Sequence, residues 1–132
     1  MFNTKVFYPD AGAQKRYEKT ICYPALVGMK TRDFATGNIT GYAFWGKLGA
    51  GEDIVIIDDL CSKGGTFIAA AKSLKEAGAG NIYLITGHCE NTVMQGEIIS
   101  GDLIKKMYTT NSILDVDSAV LSGTNIYVMD II

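Results

Sequence analysis

Asp58-Asp59-Leu60-Cys61-Ser62-Lys63-Gly64-Gly65-Thr66 is the stretch whose residue types and spacing can do chemistry. Gly64 and Gly65 let a backbone approach an anion closely and present N–H groups to it. Ser62 and Thr66 add hydroxyl donors, and Lys63 adds a positive charge. A helix starting here would aim the positive end of its dipole at the same anion. Together these parts describe a phosphate cradle. Asp58 and Asp59 would repel phosphate, so they suit a different group: the vicinal hydroxyls of a sugar, or a divalent cation. Phosphate donors beside hydroxyl acceptors on one loop fit a ribose 5-phosphate. The spacing matches neither G-x-x-x-x-G-K-S/T nor G-x-G-x-x-G. A plain strand-to-helix turn with solvated aspartates is the alternative. The apolar strand before the acids and the helix after the glycines weigh against it.

Those flanking elements must position the loop. Ile54-Val55-Ile56-Ile57 is β-branched throughout and lacks polar alternation, as in a parallel strand buried on both faces. A helix is expected from about Thr66 to Ala77, with Phe67, Ala70, Ala71 and Leu74 at helical spacing and Gly78 as its stop. Asn81 to Thr86 is the next strand, which completes a βαβ unit with a right-handed crossover. Upstream, Lys5 to Tyr8 reads as a strand ending at Pro9, and Ala13 to Lys19 as a short polar helix. Ile21 to Met29 reads as a strand bent or placed at an edge by Pro24. Lys30 to Asn38 is read as a loop, Ile39 to Trp45 as a strand and Lys47 to Gly51 as a turn. Downstream, Val93 to Ser100 is read as a short helix, with strands at Met107 to Thr110 and Ile126 to Met129. The expected fold class is α/β, a parallel sheet flanked by helices, in a single domain spanning residues 1–132.

Composition narrows the function classes. The chain has 132 residues, 48% hydrophobic and 20% charged, which suits one folded domain with a real core. Net charge is −2, so no basic field exists to hold a nucleic acid. Cys22, Cys61 and Cys89 share no C-x-x-C spacing, and His88 is the single histidine, so a zinc site is poorly supported. Reduced cytoplasmic thiols are the simpler reading. The start, Met1 to Lys5, carries no apolar run of signal-peptide type, and no apolar run reaches the length of a membrane span. His88 is read as a hydrogen-bonded loop residue and Cys61 as packing or lining. Tyr42, Phe44 and Trp45 are read as packing against the sheet or a partner subunit. Lys30 and Arg32 could simply be solvated loop cations, and Asp10 after Pro9 a turn former.

The ordered motifs resemble the phosphoribosyltransferase superfamily, whose diphosphate-sugar motif is an apolar strand, two acids and a loop ending Gly-Gly-Thr or Ala-Gly-Thr. Within it the chain is most similar to the C-terminal half of ribose-phosphate pyrophosphokinase. The resemblance implies a type I phosphoribosyltransferase-like sheet. It makes Asp58, Asp59, Ser62, Lys63, Gly64, Gly65 and Thr66 the ribose-5-phosphate loop. Lys30 and Arg32 fall at the family's catalytic Lys-x-Arg, which contacts the phosphates of ATP. Asp10 falls at a Mg²⁺ ligand in the pyrophosphate-side loop. Thr86-Gly87-His88 and Thr109 to Ile113 resemble two further family motifs. Ser62-Lys63 replaces the family's Asp-Thr, so the extra lysine could serve a second phosphate, as in ADP-ribose. The chain corresponds to one half of such an enzyme, without the half that contributes much of the ATP site. The implied partners are ribose 5-phosphate or phosphoribosyl pyrophosphate and ATP, in a cytoplasmic homo-oligomer. A small phosphoribosyltransferase acting on a nucleobase, and a non-catalytic sugar-phosphate-binding module, remain open alternatives.

Overall fold

Ile54 to Ile57 lie at the centre of a seven-stranded sheet in the computed structural model, which describes residues 4–131. The expectation for the start, Met1 to Lys5, falls outside those residues at Met1 to Asn3, and the single-domain span of 1–132 does so at its two ends. In chain order the elements are β1 (Thr4–Tyr8), α1 (Ala11–Tyr17), β2 (Ala25–Arg32), β3 (Ile39–Trp45) and β4 (Asp53–Cys61). There follow α2 (Gly65–Glu76), β5 (Ile82–Cys89), a 3-10 turn (Asn91–Gln95) and α3 (Glu97–Ser100). The chain then forms β6 (Lys106–Thr110), α4 (Ser118–Leu121) and β7 (Ile126–Met129). The strand order is β3-β2-β1-β4-β5-β6-β7, and every pairing is parallel except β2 with β3. Among the described residues no helix is long and apolar enough to cross a membrane.

Two apolar layers cover the two faces. Ile54 and Ile56 join Phe7, Leu26, Leu84 and Met107 beneath α2, whose Phe67, Ile68, Ala70, Ala71 and Leu74 are buried. Ile57 joins Val6, Tyr8 and Ala13 of α1 on the opposite face, with Val55 packed against them. The sheet is therefore wound both ways from its centre. β1 and β4 are hydrogen-bonded neighbours, yet the chain leaves them toward opposite sheet edges and opposite faces. Their carboxyl ends, Tyr8-Pro9-Asp10 and Asp58-Asp59, flank the crevice where open α/β sheets bind ligands.

Local physics moved several boundaries. Asp10 caps α1, its Oδ1 accepting from Ala13 N–H at 2.8 Å, so that helix begins at Ala11 rather than Ala13. β2 starts only after Pro24, and it extends through Lys30 to Arg32, a segment expected to be loop. Pairing with β3 supplies the hydrogen bonds there, with an irregularity between Thr31 and Arg32. Only the hairpin tip turns, closed by Asp33 N–H to Asn38 O (2.9 Å) with Gly37 at φ +72°. β5 runs past Thr86 to Cys89, so His88 is a strand residue rather than a loop residue. The helix expected at Val93 to Ser100 is two pieces broken at Gly96, where the backbone is extended. A Cβ at Gly96 would lie 1.9 Å from the Lys63 carbonyl oxygen. Close packing, not helix propensity, sets the break.

Candidate functional site

β4 delivers the two acids to different sides. Asp58 continues the Ile54, Ile56 row and Asp59 the Val55, Ile57 row, because side chains alternate along a strand. Asp58 lines a hollow of about 740 Å³ together with Lys30, Arg32 and the whole loop from Ser62 to Thr66. Asp59 lies outside that hollow and is half exposed. Arg16 of α1 joins the two, its Nη2 lying 3.1 Å from Asp58 Oδ1 and 3.5 Å from Asp59 Oδ1. Asp59 N–H also donates to Asp58 Oδ1 at 2.8 Å.

The acids are electrostatically unequal. Burial, with Asp59 and Asp10 nearby, raises the Asp58 carboxyl above the ordinary aspartate range. Asp59 is held below that range by its hydrogen bond with Asp58 and by the Arg16 charge. Tyr42, on the edge strand β3, reaches across Gly28 of β2 to the end of β1. Its hydroxyl donates to the Pro9 carbonyl, and burial first, then Asp10 and Asp58, raise its pKa strongly.

The glycine pair divides two tasks. Gly64 is buried at φ +89°, in the left-handed region, and a Cβ there would lie 2.4 Å from Ile98 Cδ1. Asn125 fixes that neighbour, its Nδ2 donating to the carbonyls of Ile98 (2.8 Å) and Ile104 (2.9 Å). Gly65 opens α2 and is exposed, and among the described residues no atom outside its own helix turn and chain neighbours lies within 4 Å of where its Cβ would stand. The amino end of α2, a twelve-residue helix, therefore opens onto the hollow with Gly65 exposed there. Ser62 donates its hydroxyl to Glu90, which follows β5 and lines the same hollow with Thr92.

Asp10 faces an adjoining hollow of about 600 Å³, lined also by Gln14, Met29, Lys30 and the exposed Trp45. Lys30 borders both hollows. The described residues hold no group of three His, Cys, Asp or Glu side chains suited to a metal. One carboxylate beside ligand phosphates still fits Mg²⁺, which keeps most of its waters. Thr86 and Thr109 share a buried hydrogen bond (3.2 Å), Thr110 Oγ1 donates to Gly87 O (2.6 Å), and His88 Nδ1 meets Ser112 Oγ at 2.6 Å. These contacts tie the ends of β5 and β6 together, outside the Ser62–Thr66 hollow. Cys61 and Cys89 are buried side by side in register on β4 and β5.

Sequence reasoning missed Arg16, Glu90 and Thr92. Arg16 reaches the acids only through the packing of α1, for which the sequence carries no local sign. Glu90 had a weak one, since it directly follows a strand expected to pair with the acid-bearing strand.

A doubly wound, mainly parallel sheet with this acid–acid–glycine–glycine loop at its switch point defines a phosphoribosyltransferase-type domain. The sequence profile of the phosphoribosyl synthetase-associated domain family matches residues 43–132, and the chain belongs to that family. A ribose-phosphate pyrophosphokinase of Sulfurisphaera tokodaii is 30% identical over 111 residues, covering 82% of this chain and 38% of that protein. One from Marinomonas sp. is 42% identical over 65 residues, or 49% of this chain and 18% of the relative. The match thus spans well under half the length of these relatives. Among solved structures, phosphoribosylpyrophosphate synthetase from Mycobacterium smegmatis superposes with a TM-score of 0.71 at 20% identity, covering 98% of this chain and 41% of that one. Adenine phosphoribosyl transferase from Trypanosoma brucei, in complex with AMP, pyrophosphate and ribose-5-phosphate, gives 0.53 at 15% identity, covering 95% and 60%. These superpositions place the fold.

Proposed function

We propose that this chain is a ribose-phosphate pyrophosphokinase-like domain that binds ribose 5-phosphate and transfers diphosphate from ATP to the sugar 1-hydroxyl. One observation carries the reading: Asp58, Lys30, Arg32 and the Ser62–Thr66 loop line a single hollow at the carboxyl ends of the strands. In this reading the backbone N–H groups at Gly64 to Thr66, with the Ser62 and Thr66 hydroxyls and Lys63, hold the 5-phosphate. Asp58 accepts hydrogen bonds from the sugar hydroxyls within the hollow and so orients the 1-hydroxyl. Asp59, expected to share that task, lies outside the hollow and is held beside Asp58 by Arg16. The 1-hydroxyl oxygen attacks the β-phosphorus of ATP and loses its proton to solvent, the bond from the β-phosphorus to the α-phosphate oxygen breaks, and AMP leaves. Charge spreads over the diphosphoryl group in flight, and Lys30 and Arg32 stabilise it electrostatically. Mg²⁺, when bound near Asp10 with the phosphates, would neutralise charge on the transferring group.

The homology to ribose-phosphate pyrophosphokinases supports this reaction over attachment of a nucleobase. The test is direct: incubate the chain with Mg²⁺, ribose 5-phosphate and ATP, and measure AMP. Sugar-dependent AMP supports the proposal. Binding without AMP leaves a sugar-phosphate-binding module. Release of pyrophosphate from phosphoribosyl pyrophosphate by a nucleobase assigns the chain to base transfer.

A further inference from the structure

Glu90 puts a second carboxylate, besides Asp58, into the hollow, and places it directly on the Ser62–Thr66 anion cradle. It is half-buried, lines the hollow with Lys30, Arg32 and the Ser62–Thr66 loop, and accepts the Ser62 hydroxyl hydrogen bond. Its backbone is fixed as well: Glu90 N–H donates to Cys61 O at 2.8 Å, directly after the Cys61–Cys89 pair in the β4–β5 register. The carboxylate is thus carried to the loop by the sheet rather than by a free surface chain. Two residues on, Thr92 lines the same hollow, and its Oγ1 is buried without a hydrogen-bond partner among the described residues. An unsatisfied buried hydroxyl is costly, and a ligand oxygen is one way to satisfy it.

The two residues have opposite consequences for an incoming phosphate. A phosphate that takes the Ser62 hydroxyl must first take it from Glu90. It then faces a negative charge where its other neighbours are donors. Thr92 Oγ1 has no partner among the described residues and almost no exposed surface, so it meets a ligand in the hollow by turning about its Cα–Cβ bond. We propose that the Glu90–Thr92 turn is a second wall of the phosphate site, in which Glu90 is an internal competitor for the anion and Thr92 a phosphate ligand. The inference rests on the assignment of the Ser62–Thr66 loop to phosphate, not on the transfer reaction. Glu90 lowers affinity for any phosphate in the loop by a similar factor, so further contacts, such as a sugar held by Asp58, must supply the affinity it removes.

Calorimetric titration of ribose 5-phosphate, and separately of inorganic phosphate, into the full chain tests this. Glu90→Gln keeps the shape and removes the charge. It is expected to bind both ligands about threefold tighter or more. Thr92→Val should weaken both. Glu90→Ala, which removes charge and hydrogen bond together, decides the matter if a thermal melt shows that Glu90→Gln does not fold. Unchanged or weaker phosphate binding by the Glu90 variants overturns the proposal, as does full affinity in Thr92→Val. The phosphate titration separates it from the reaction: wild-type chain that makes no AMP can still show tighter phosphate binding on loss of Glu90. If neither wild-type nor variant chain binds either ligand, the loop assignment and this inference fall together.

Discussion

Arg16 Nη2 lies 3.1 Å from Asp58 Oδ1, so the first helix of the chain holds the acid at the end of the central strand, 42 residues away. The same guanidinium reaches Asp59 at 3.5 Å. A sugar hydroxyl can share these carboxylates with it, since each ionised carboxylate offers about four acceptor positions. Arg16 therefore acts as a fixed counter-charge for the pair. Its charge helps depress Asp59. Arg16→Ala should raise the Asp59 pKa in a carboxyl-carbon NMR titration. An unmoved Asp59 would mean that the guanidinium contributes nothing to the pair.

Asp58 pays for its position in stability. Its folded-state pKa is raised by burial, so the native state holds that proton more tightly than the unfolded chain does. For such a group stability falls as pH rises through the raised pKa, and the penalty is fully present at neutral pH. Asp58→Asn should thus melt at the same temperature as wild type or higher at pH 7, and the difference should shrink as pH falls below the folded-state value. Its ribose 5-phosphate affinity should drop about tenfold or more, as expected on losing a charged acceptor. A lower melting temperature at pH 7 with intact affinity would assign Asp58 to structure instead.

The two glycines should separate fold from binding. Gly64→Ala meets both a positive φ and the Ile98 side chain, and should cost about 2 kcal/mol or more. Adding Ile98→Val should recover only part of that, because the backbone strain stays. Gly65→Ala meets nothing and should leave stability within about 1 kcal/mol of wild type. Its Cβ would nonetheless stand at the open end of α2, so ribose 5-phosphate should bind several-fold more weakly. Denaturant melts beside calorimetry check both, and a destabilised Gly65→Ala with normal binding would reverse the assignment.

How far the sequence carried these conclusions depended on whether the determinant was local. The β-branched run at Ile54 to Ile57 can hardly be anything but a buried strand, and the buried positions Phe67, Ala70, Ala71 and Leu74 of α2 follow from spacing alone. The loop from Ser62 to Thr66 was legible for the same reason. Lys30 and Arg32 looked like loop residues because their strand character comes from pairing with a hairpin partner. Gly96 breaks the segment expected as one helix because the Lys63 backbone occupies the space beside it. Glu90 and Thr92 enter the hollow through the β4–β5 register, which no window of sequence contains.

Thiol chemistry offers a check on the β4–β5 junction. Cys61 and Cys89 are fully buried, and the Cys61 thiol is pushed up by its hydrogen bond with Cys89 and by burial. Cys22 is exposed. Native protein should therefore release colour from Ellman's reagent quickly at Cys22 alone, with the other two thiols reacting only on denaturation. Fast reaction at Cys61 or Cys89 would show that the strand ends beneath the loop open readily.

The pentose-phosphate assignment is tested most directly by calorimetry of wild-type chain against ribose 5-phosphate, ribose and inorganic phosphate in parallel. Simultaneous use of Asp58 and the Ser62–Thr66 loop requires ribose 5-phosphate to bind more tightly than either fragment, with that advantage lost in Asp58→Asn. Equal affinity for ribose 5-phosphate and inorganic phosphate in the wild-type chain would contradict it.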